Sequence, residues 1–273
     1  MKLLSYPYSR KAVKYSKLIW AYSKLKLFSD LDPSSPYAVG RVVVYPEAGI
    51  VYNRVRKSGN SSTLAFLAEL LIANGVVTKK SYTMAQRLTK RSSKSLGKTI
   101  YALPVGDFKK INDFCFFTVV RNPYSRLLSA YLHKQGEAKK GNLAYQKVPG
   151  MLLGGVKGFW EFVSFVESGG LYKDSHWWPQ KDLLFVPVER FDKIVKLESL
   201  ADDMEALTQS LGLRNIPKKI FEKPHYTEAS LSGKVTRSSE RLPKYYDAVL
   251  MKKVYEIYKG DFDAFQYDSS DLG

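Results

Sequence analysis

Apolar residues fall along the chain in short, separate runs that alternate between two periods. Residues 42–45 and 50–55 are dense in β-branched side chains, and Pro46-Glu47-Ala48-Gly49 between them carries turn chemistry. From residue 62 to 73 the period changes. Leu64, Leu67, Ala68 and Leu71 recur at i, i+3, i+4 and i+7, which predicts a helix stopped by Asn74-Gly75. Residues 114–120 form a continuous apolar run, as in a strand covered on both faces. The run passes directly into Asn122-Pro123, a helix start continued by Leu127, Leu128, Ala130 and Tyr131. Residues 183–188 read as another buried strand, and further helices are expected at 10–27, 159–166, 199–211 and 245–258. The Gly- and Lys-rich stretch 134–155 reads as loop, and the polar stretch 78–98 as loop or solvated helix.

Alternating strands and helices with doubly buried strands predict one α/β domain, a central, mostly parallel sheet flanked by helices. Residues 1–40, rich in Tyr, Lys and Ser, are expected to form a peripheral N-terminal arm, leaving 41–273 as the domain. No apolar run approaches the length of a membrane span, and residues 1–20 lack the apolar core of a secretory signal, so a soluble, cytoplasmic protein is expected. The single cysteine, Cys115, lies in an apolar run and excludes a disulfide framework.

Charge narrows the chemistry. Lys and Arg total 43 against 26 Asp and Glu, a net of +17. A field of that sign attracts anions: nucleic acid, an anionic membrane face, phosphorylated cofactors or acidic polysaccharide. Two places along the chain suit an anion. Between the strand ending near residue 55 and the helix beginning near 62 lie Arg56, Lys57, Ser58, Gly59, Asn60, Ser61, Ser62 and Thr63. The carboxyl end of a strand and the positive end of a helix meet there. Gly59 permits close backbone approach, Lys57 brings a mobile cation, and four hydroxyls and an amide complete a cradle. The loop is not a Walker A sequence, because it has one glycine and its lysine precedes that glycine. The second place is Arg121 at the carboxyl end of the 114–120 run, with Ser129 two helical turns along. Together they suit a second phosphate. Arg126 is expected to serve as a surface ion-pair partner.

Lys57-Ser58-Gly59-Asn60-Ser61-Ser62-Thr63 resembles the 5′-phosphosulfate loop of sulfotransferases that use 3′-phosphoadenosine-5′-phosphosulfate (PAPS). The string from Arg121 through Asn122-Pro123 to Ser129-Ala130-Tyr131 is similar to their 3′-phosphate motif, departing at Asn122, where that motif has Asp. His176-Trp177-Trp178-Pro179-Gln180, the stretch 191–200 and the stretch 255–267 resemble segments of the carbohydrate branch, the chondroitin- and heparan-type enzymes and their bacterial relatives. The resemblance implies a P-loop-like sulfotransferase domain. It implies PAPS as donor, held by Lys57, Ser58, Gly59, Asn60, Ser61, Ser62, Thr63, Arg121 and Ser129, with no metal. It also implies transfer of a sulfuryl group to a hydroxyl of a carbohydrate.

Lys57 is then expected to stabilise the leaving oxygen, and His176, in a loop with two tryptophans that suit a sugar face, to take the acceptor proton. His176 as a structural residue fixing that loop remains an equal reading. His133 reads as a helix-end surface residue, and His225 has no matching motif. Lys79, Lys80, Arg87, Lys90, Arg91, Lys94 and Lys98 form one basic rim and Lys134, Lys139 and Lys140 another, which would attract an anionic glycan or other hydroxyl acceptor. Three rivals stay open: a small phenolic or lipid acceptor, a P-loop kinase, and a polyanion-binding module without catalysis. A kinase requires a Walker A loop and an acidic Mg²⁺ ligand at a strand end, where this chain has Arg121. No nucleic-acid-binding signature is visible.

Overall fold

A computed structural model describes residues 8–78, 97–217 and 238–273. Its centre is a five-stranded sheet of β1 (Val42–Tyr45), β2 (Ile50–Asn53), β3 (Lys98–Thr99), β4 (Cys115–Val120) and β5 (Lys193–Lys196), in the order β3-β1-β2-β4-β5. The expected parallel pairing holds for β2, β4 and β5, whereas β1 runs antiparallel to both β2 and β3. The turn Pro46–Ala48 closes on Gly49 at φ 61°, which makes β1 and β2 a hairpin.

Alternation along each strand explains the dense apolar runs. Val42, Val44, Val51, Phe116 and Val120 face one core, and Val43, Tyr45, Ile50, Tyr52, Phe117 and Val119 face another. Helices α3 (Asn60–Ala73) and α8 (Leu200–Ser210) cover the second face. The first is covered by α1 (Tyr8–Phe28), α2 (Pro36–Val39) and α4 (Val105–Lys110). Thus Ala21, Leu25, Ala38 and Val39, from the stretch expected to be an arm, are buried in the same core as the sheet. A third core gathers α5 (Pro123–Lys139), α7 (Gly155–Phe165), α9 (Ser238–Tyr245) and α10 (Ala248–Phe265).

Two expected elements differ from the structure. Residues 183–188 are not a strand but a buried strap between two 3-10 turns, Lys181–Leu183 and Val188–Arg190. Leu183, Leu184, Phe185 and Val186 are apolar because they fill the core beside β2. Side chains satisfy their backbone: Phe185 N–H donates to Asn53 Oδ1 at 2.9 Å, and Asn53 Nδ2 donates to the Leu183 carbonyl at 3.2 Å. Conversely, stretch 134–155 is not all loop. Helix α5 continues through Lys139, and α6 (Leu143–Gln146) follows. Polar composition concealed it, because Lys134 is buried there.

Most of the basic stretch 78–98, and His225, lie outside the described residues. Among the described residues no helix is long and apolar enough to cross a membrane.

Candidate active site

After β2 the backbone turns sharply. Lys57 and Gly59 both adopt the left-handed conformation at φ 67°. For lysine this is rare and stores strain of the sort found at ligand sites. Gly59 is the N-cap of α3, and a Cβ there would lie 2.6 Å from Leu197 Cδ1, so both conformation and space demand glycine. Internal bonds fix the turn: Asn60 Nδ2 donates to the Val55 carbonyl at 2.6 Å and Thr63 Oγ1 to the Gly59 carbonyl at 3.1 Å. Tyr52 Oη donates to Asn60 Oδ1 at 2.8 Å. The side chains of Ser58, Asn60 and Thr63 therefore hold the loop's shape. What the loop offers an anion is Lys57, the half-buried Ser61 and Ser62, and the first-turn N–H groups that helix geometry leaves without acceptors.

The next strand completes one wall. Arg121, at the end of β4, donates from Nε to Ser125 Oγ at 2.8 Å and from Nη1 to the Lys57 carbonyl at 3.4 Å. Ser125, the buried Ser129 and His133 follow one another at four-residue spacing along one face of α5. Gln180 ties the loop to Arg121. Its Oε1 accepts from Ser58 Oγ at 3.0 Å and from Arg121 N–H at 2.9 Å, while Nε2 donates to the Arg121 carbonyl at 2.7 Å. The backbone of Gln180 is held in turn by Asp261, which accepts from Gln180 N–H at 2.7 Å. Burial raises the Asp261 carboxyl to about 6, against the opposing charge of Arg126. In the sequence Gln180 stands out only as the last residue of the His176–Gln180 string, and the charged pair Lys181-Asp182 follows it, so no local pattern marks its bracing role.

Arg126 is not a surface partner. It is buried, donating to the Arg56 carbonyl at 2.9 Å and the Trp178 carbonyl at 2.7 Å, so it joins the loop to the 176–180 segment. Asn122 explains its own departure from the motif. Its Oδ1 accepts from Tyr124 N–H to cap α5, while its Nδ2 donates to the Asp271 carbonyl at 3.0 Å. An aspartate supplies only the first bond.

A second cluster, which meets α5 through His133 and Lys134, is built around His176. Its Nδ1 lies 2.6 Å from Asp174 Oδ1, and its Nε2 lies 3.0 Å from Arg56 Nη1. A guanidinium only donates, so Nε2 accepts, and the ring is neutral with its proton on Nδ1. Burial is the main cause that lowers the His176 pKa to about 4, assisted by Arg56 and Lys134 and opposed by Asp174. Burial alone would raise the Asp174 carboxyl, but hydrogen bonds from His176 and Tyr145 outweigh it and keep the group ionised. Tyr145 donates to Asp174 Oδ2 at 2.7 Å. Lys134 is 2.5 Å from Tyr145 Oη and 3.9 Å from Asp174, so it belongs to this network and not to a solvated rim.

His133 is likewise no surface residue. Its ring stacks on that of His176 at 5.6 Å, and burial, then the charges of Lys57 and Lys134, push its pKa to about 3. Of the two tryptophans, Trp177 is buried against Phe162 and cannot meet a ligand. Trp178 is half-buried between Tyr37, at 4.9 Å, and Tyr172, at 5.5 Å.

A strained lysine turn at a helix start and an arginine at the neighbouring strand end suit a donor with two anionic groups. Ser61, Ser62, Lys57 and the α3 N–H groups would hold one group, and Arg121 the other. Neither curated proteins nor solved structures yield a match to the chain. The family model described as "Sulfotransferase family" matches residues 40–268, well over half of the 273. With the mixed α/β sheet and this pair of strand ends, the match establishes that the chain belongs to the sulfotransferase family and is an enzyme of sulfuryl transfer.

Proposed function

We propose that the donor is PAPS and the acceptor a hydroxyl group of a carbohydrate. One observation carries the donor half: two anion-binding elements at the ends of adjacent parallel strands, braced across by Gln180. PAPS supplies a sulfonate joined through oxygen to a 5′-phosphate, and that S–O bond breaks as the acceptor oxygen bonds to sulfur. Lys57 and the first turn of α3 neutralise charge gathering on the departing phosphate oxygen. Arg121, with Ser125 and Ser129 on its helix, holds the 3′-phosphate. The acceptor's proton passes to His176 Nε2 once Arg56 turns from the ring to a bound anion. Asp174 keeps the other ring nitrogen protonated and supports the imidazolium. The aromatic group of Trp178, Tyr37 and Tyr172 favours a sugar ring, whose C–H faces pack on aromatic surfaces.

The test is thermal denaturation with 3′-phosphoadenosine-5′-phosphate, ATP or 5′-AMP. Mass action predicts the largest rise in Tm with the bisphosphate, and its loss in Arg121→Ala. An equal response to ATP, or none to the bisphosphate, overturns the donor assignment. Labelled sulfate transferred to phenols or lipids but not to glycans overturns the acceptor half.

A further inference from the structure

Beside the donor loop lies a concentration of positive charge whose anion the transfer chemistry above leaves unassigned. Arg41 immediately precedes β1, and because β1 is antiparallel to β2 this places it at the ligand end of the sheet. It lies opposite Arg54, whose N–H donates to the Arg41 carbonyl at 3.2 Å. Arg41 is 7% exposed. Its guanidinium lies over the Tyr37 ring at 4.8 Å and donates from Nη2 to Tyr37 Oη and, at 2.9 Å, to Ser175 Oγ. Burial, with Arg56 and Arg54 nearby, lowers its pKa to about 10, which leaves it charged at neutral pH.

Two features leave this pair open to an anion, although the buried Arg126 also keeps one N–H group, on Nη2, without a partner. First, Nε of Arg41 and Nε of Arg56 are both buried without a hydrogen-bond partner. Secondly, among the described residues no carboxylate forms an ion pair with either guanidinium. Asp174, reached from Arg56 through His176, is already committed to His176 and Tyr145. Leaving a buried cation uncompensated costs several kcal/mol, and adjacent guanidinium groups add repulsion. A carboxylate or sulfate meets a guanidinium fork with paired bonds.

Topology says whose anion it is. In the sheet, β1 and β4 lie on opposite sides of β2, from which the donor loop hangs. Arg121 and the 3′-phosphate elements stand at the β4 side; Arg41, Tyr37 and Trp178 stand at the β1 side. An anion at Arg41 is therefore separate from the nucleotide's 3′-phosphate and lies with the aromatic residues of the acceptor wall.

We propose that Arg41 and Arg56 form an oxyanion subsite for a carboxylate or sulfate group carried by the acceptor, selecting acidic acceptors over neutral ones of the same shape. The inference rests on sulfuryl transfer and on the placement of the donor, but not on the acceptor being a sugar.

The test begins with the chain saturated with 3′-phosphoadenosine-5′-phosphate and titrated with sodium sulfate against sodium chloride at equal ionic strength. A saturable, sulfate-specific rise in Tm is expected. It should vanish in Arg41→Gln and Arg56→Gln and persist in Lys57→Ala. Arg41→Lys, which keeps the buried charge but lacks the fork, should weaken it. Should Arg41→Gln fail to fold, as its Tm without sulfate reports, Arg56→Gln decides. No sulfate-specific rise, or a rise lost only in Lys57→Ala, overturns the subsite. As a second readout, 4-nitrophenyl β-D-glucuronide should exceed the matching glucoside in kcat/KM by at least about tenfold, with Arg41→Gln removing the preference. If neither glycoside is sulfated, the sugar reading fails while the sulfate titration still judges the subsite.

Discussion

The cluster around Arg121 and the cluster around Arg41 both set guanidinium groups at the ligand end of the sheet, yet they are finished differently. On the first, Arg121 is bonded to Ser125 and to the Lys57 carbonyl, and Gln180 closes three further bonds around it. On the second, two guanidinium Nε–H groups are buried without acceptors, and a neutral histidine stands in as acceptor for Arg56. The difference fits the two tasks proposed above, donor binding and acceptor selection. A wall that meets the same nucleotide in every turnover gains from having its dipoles fixed in advance. A wall left short of negative charge is completed only by its ligand, and so discriminates among ligands.

The largest effect that would break this contrast is at its centre. Lys57→Ala should lower kcat for sulfuryl transfer by about 10²–10³-fold, measured as bisphosphate release from PAPS; turnover near the wild-type rate would remove Lys57 from the chemistry.

Next comes the brace. Gln180→Ala leaves Ser58 Oγ, Arg121 N–H and the Arg121 carbonyl without partners. At about 1–3 kcal/mol for each unsatisfied buried group, relieved partly by entering water, a loss of about 3 kcal/mol is expected in urea unfolding. Binding of the bisphosphate should weaken with it. A variant as stable and as tightly binding as wild type would mean that the first wall does not depend on Gln180.

The His176 cluster should show itself through pH. In the unfolded chain an imidazole takes up its proton near its ordinary value of 6.5, whereas folded His176 resists until about 4. Its neutral burial is therefore fully stabilising above 6.5, and the contribution declines as pH falls through that window, with a slope approaching about 1.4 kcal/mol per pH unit. Asp174 acts lower down. Its depressed carboxyl stabilises the fold above the usual carboxylate range and loses that effect as acid protonates it. Unfolding free energies at pH 7 and pH 5 should differ less in His176→Gln than in wild type; an unchanged difference would show that the ring does not titrate this way.

The smallest effect lies behind the first wall. Asn122→Asp keeps the cap on α5 and loses the bond to the Asp271 carbonyl. A cost of about 1 kcal/mol is expected, with faster proteolysis of residues 268–273. Unchanged proteolysis would leave the asparagine unexplained.

Much of this was legible in the sequence. The paired apolar runs at 42–45 and 50–55 and the run leading into Arg121 mark three strands, the second ending two residues early at Asn53, because those strands are buried on both faces. Burial and pairing are separate properties, however, and the apolar pattern reports only burial. Residues 183–186 are buried without pairing, held by Asn53 and Ser34. Strand β5, Lys-Ile-Val-Lys, pairs at an edge with little burial and left no apolar run to notice. In the site, Lys57, Gly59 and Arg121 announced themselves through local grammar. Gln180, Arg126 and Arg41 did not. Their roles depend on contacts that bridge as many as 134 positions of chain, and a short motif holds no record of such contacts.

The β1–β2 hairpin gives those contacts a single point of control. Its turn at Pro46–Ala48 fixes which residue of β1 faces which residue of β2, Val42 opposite Asn53. A strand's faces alternate with each residue, so a slip of one position would carry Arg41 to the other side of the sheet. The donor loop, hanging from the far end of β2 and braced to β4, would stay where it is. If Arg41 selects the acceptor as proposed, donor recognition and acceptor choice are separately inheritable: four residues at the remote end of a hairpin would retune one and leave the other alone.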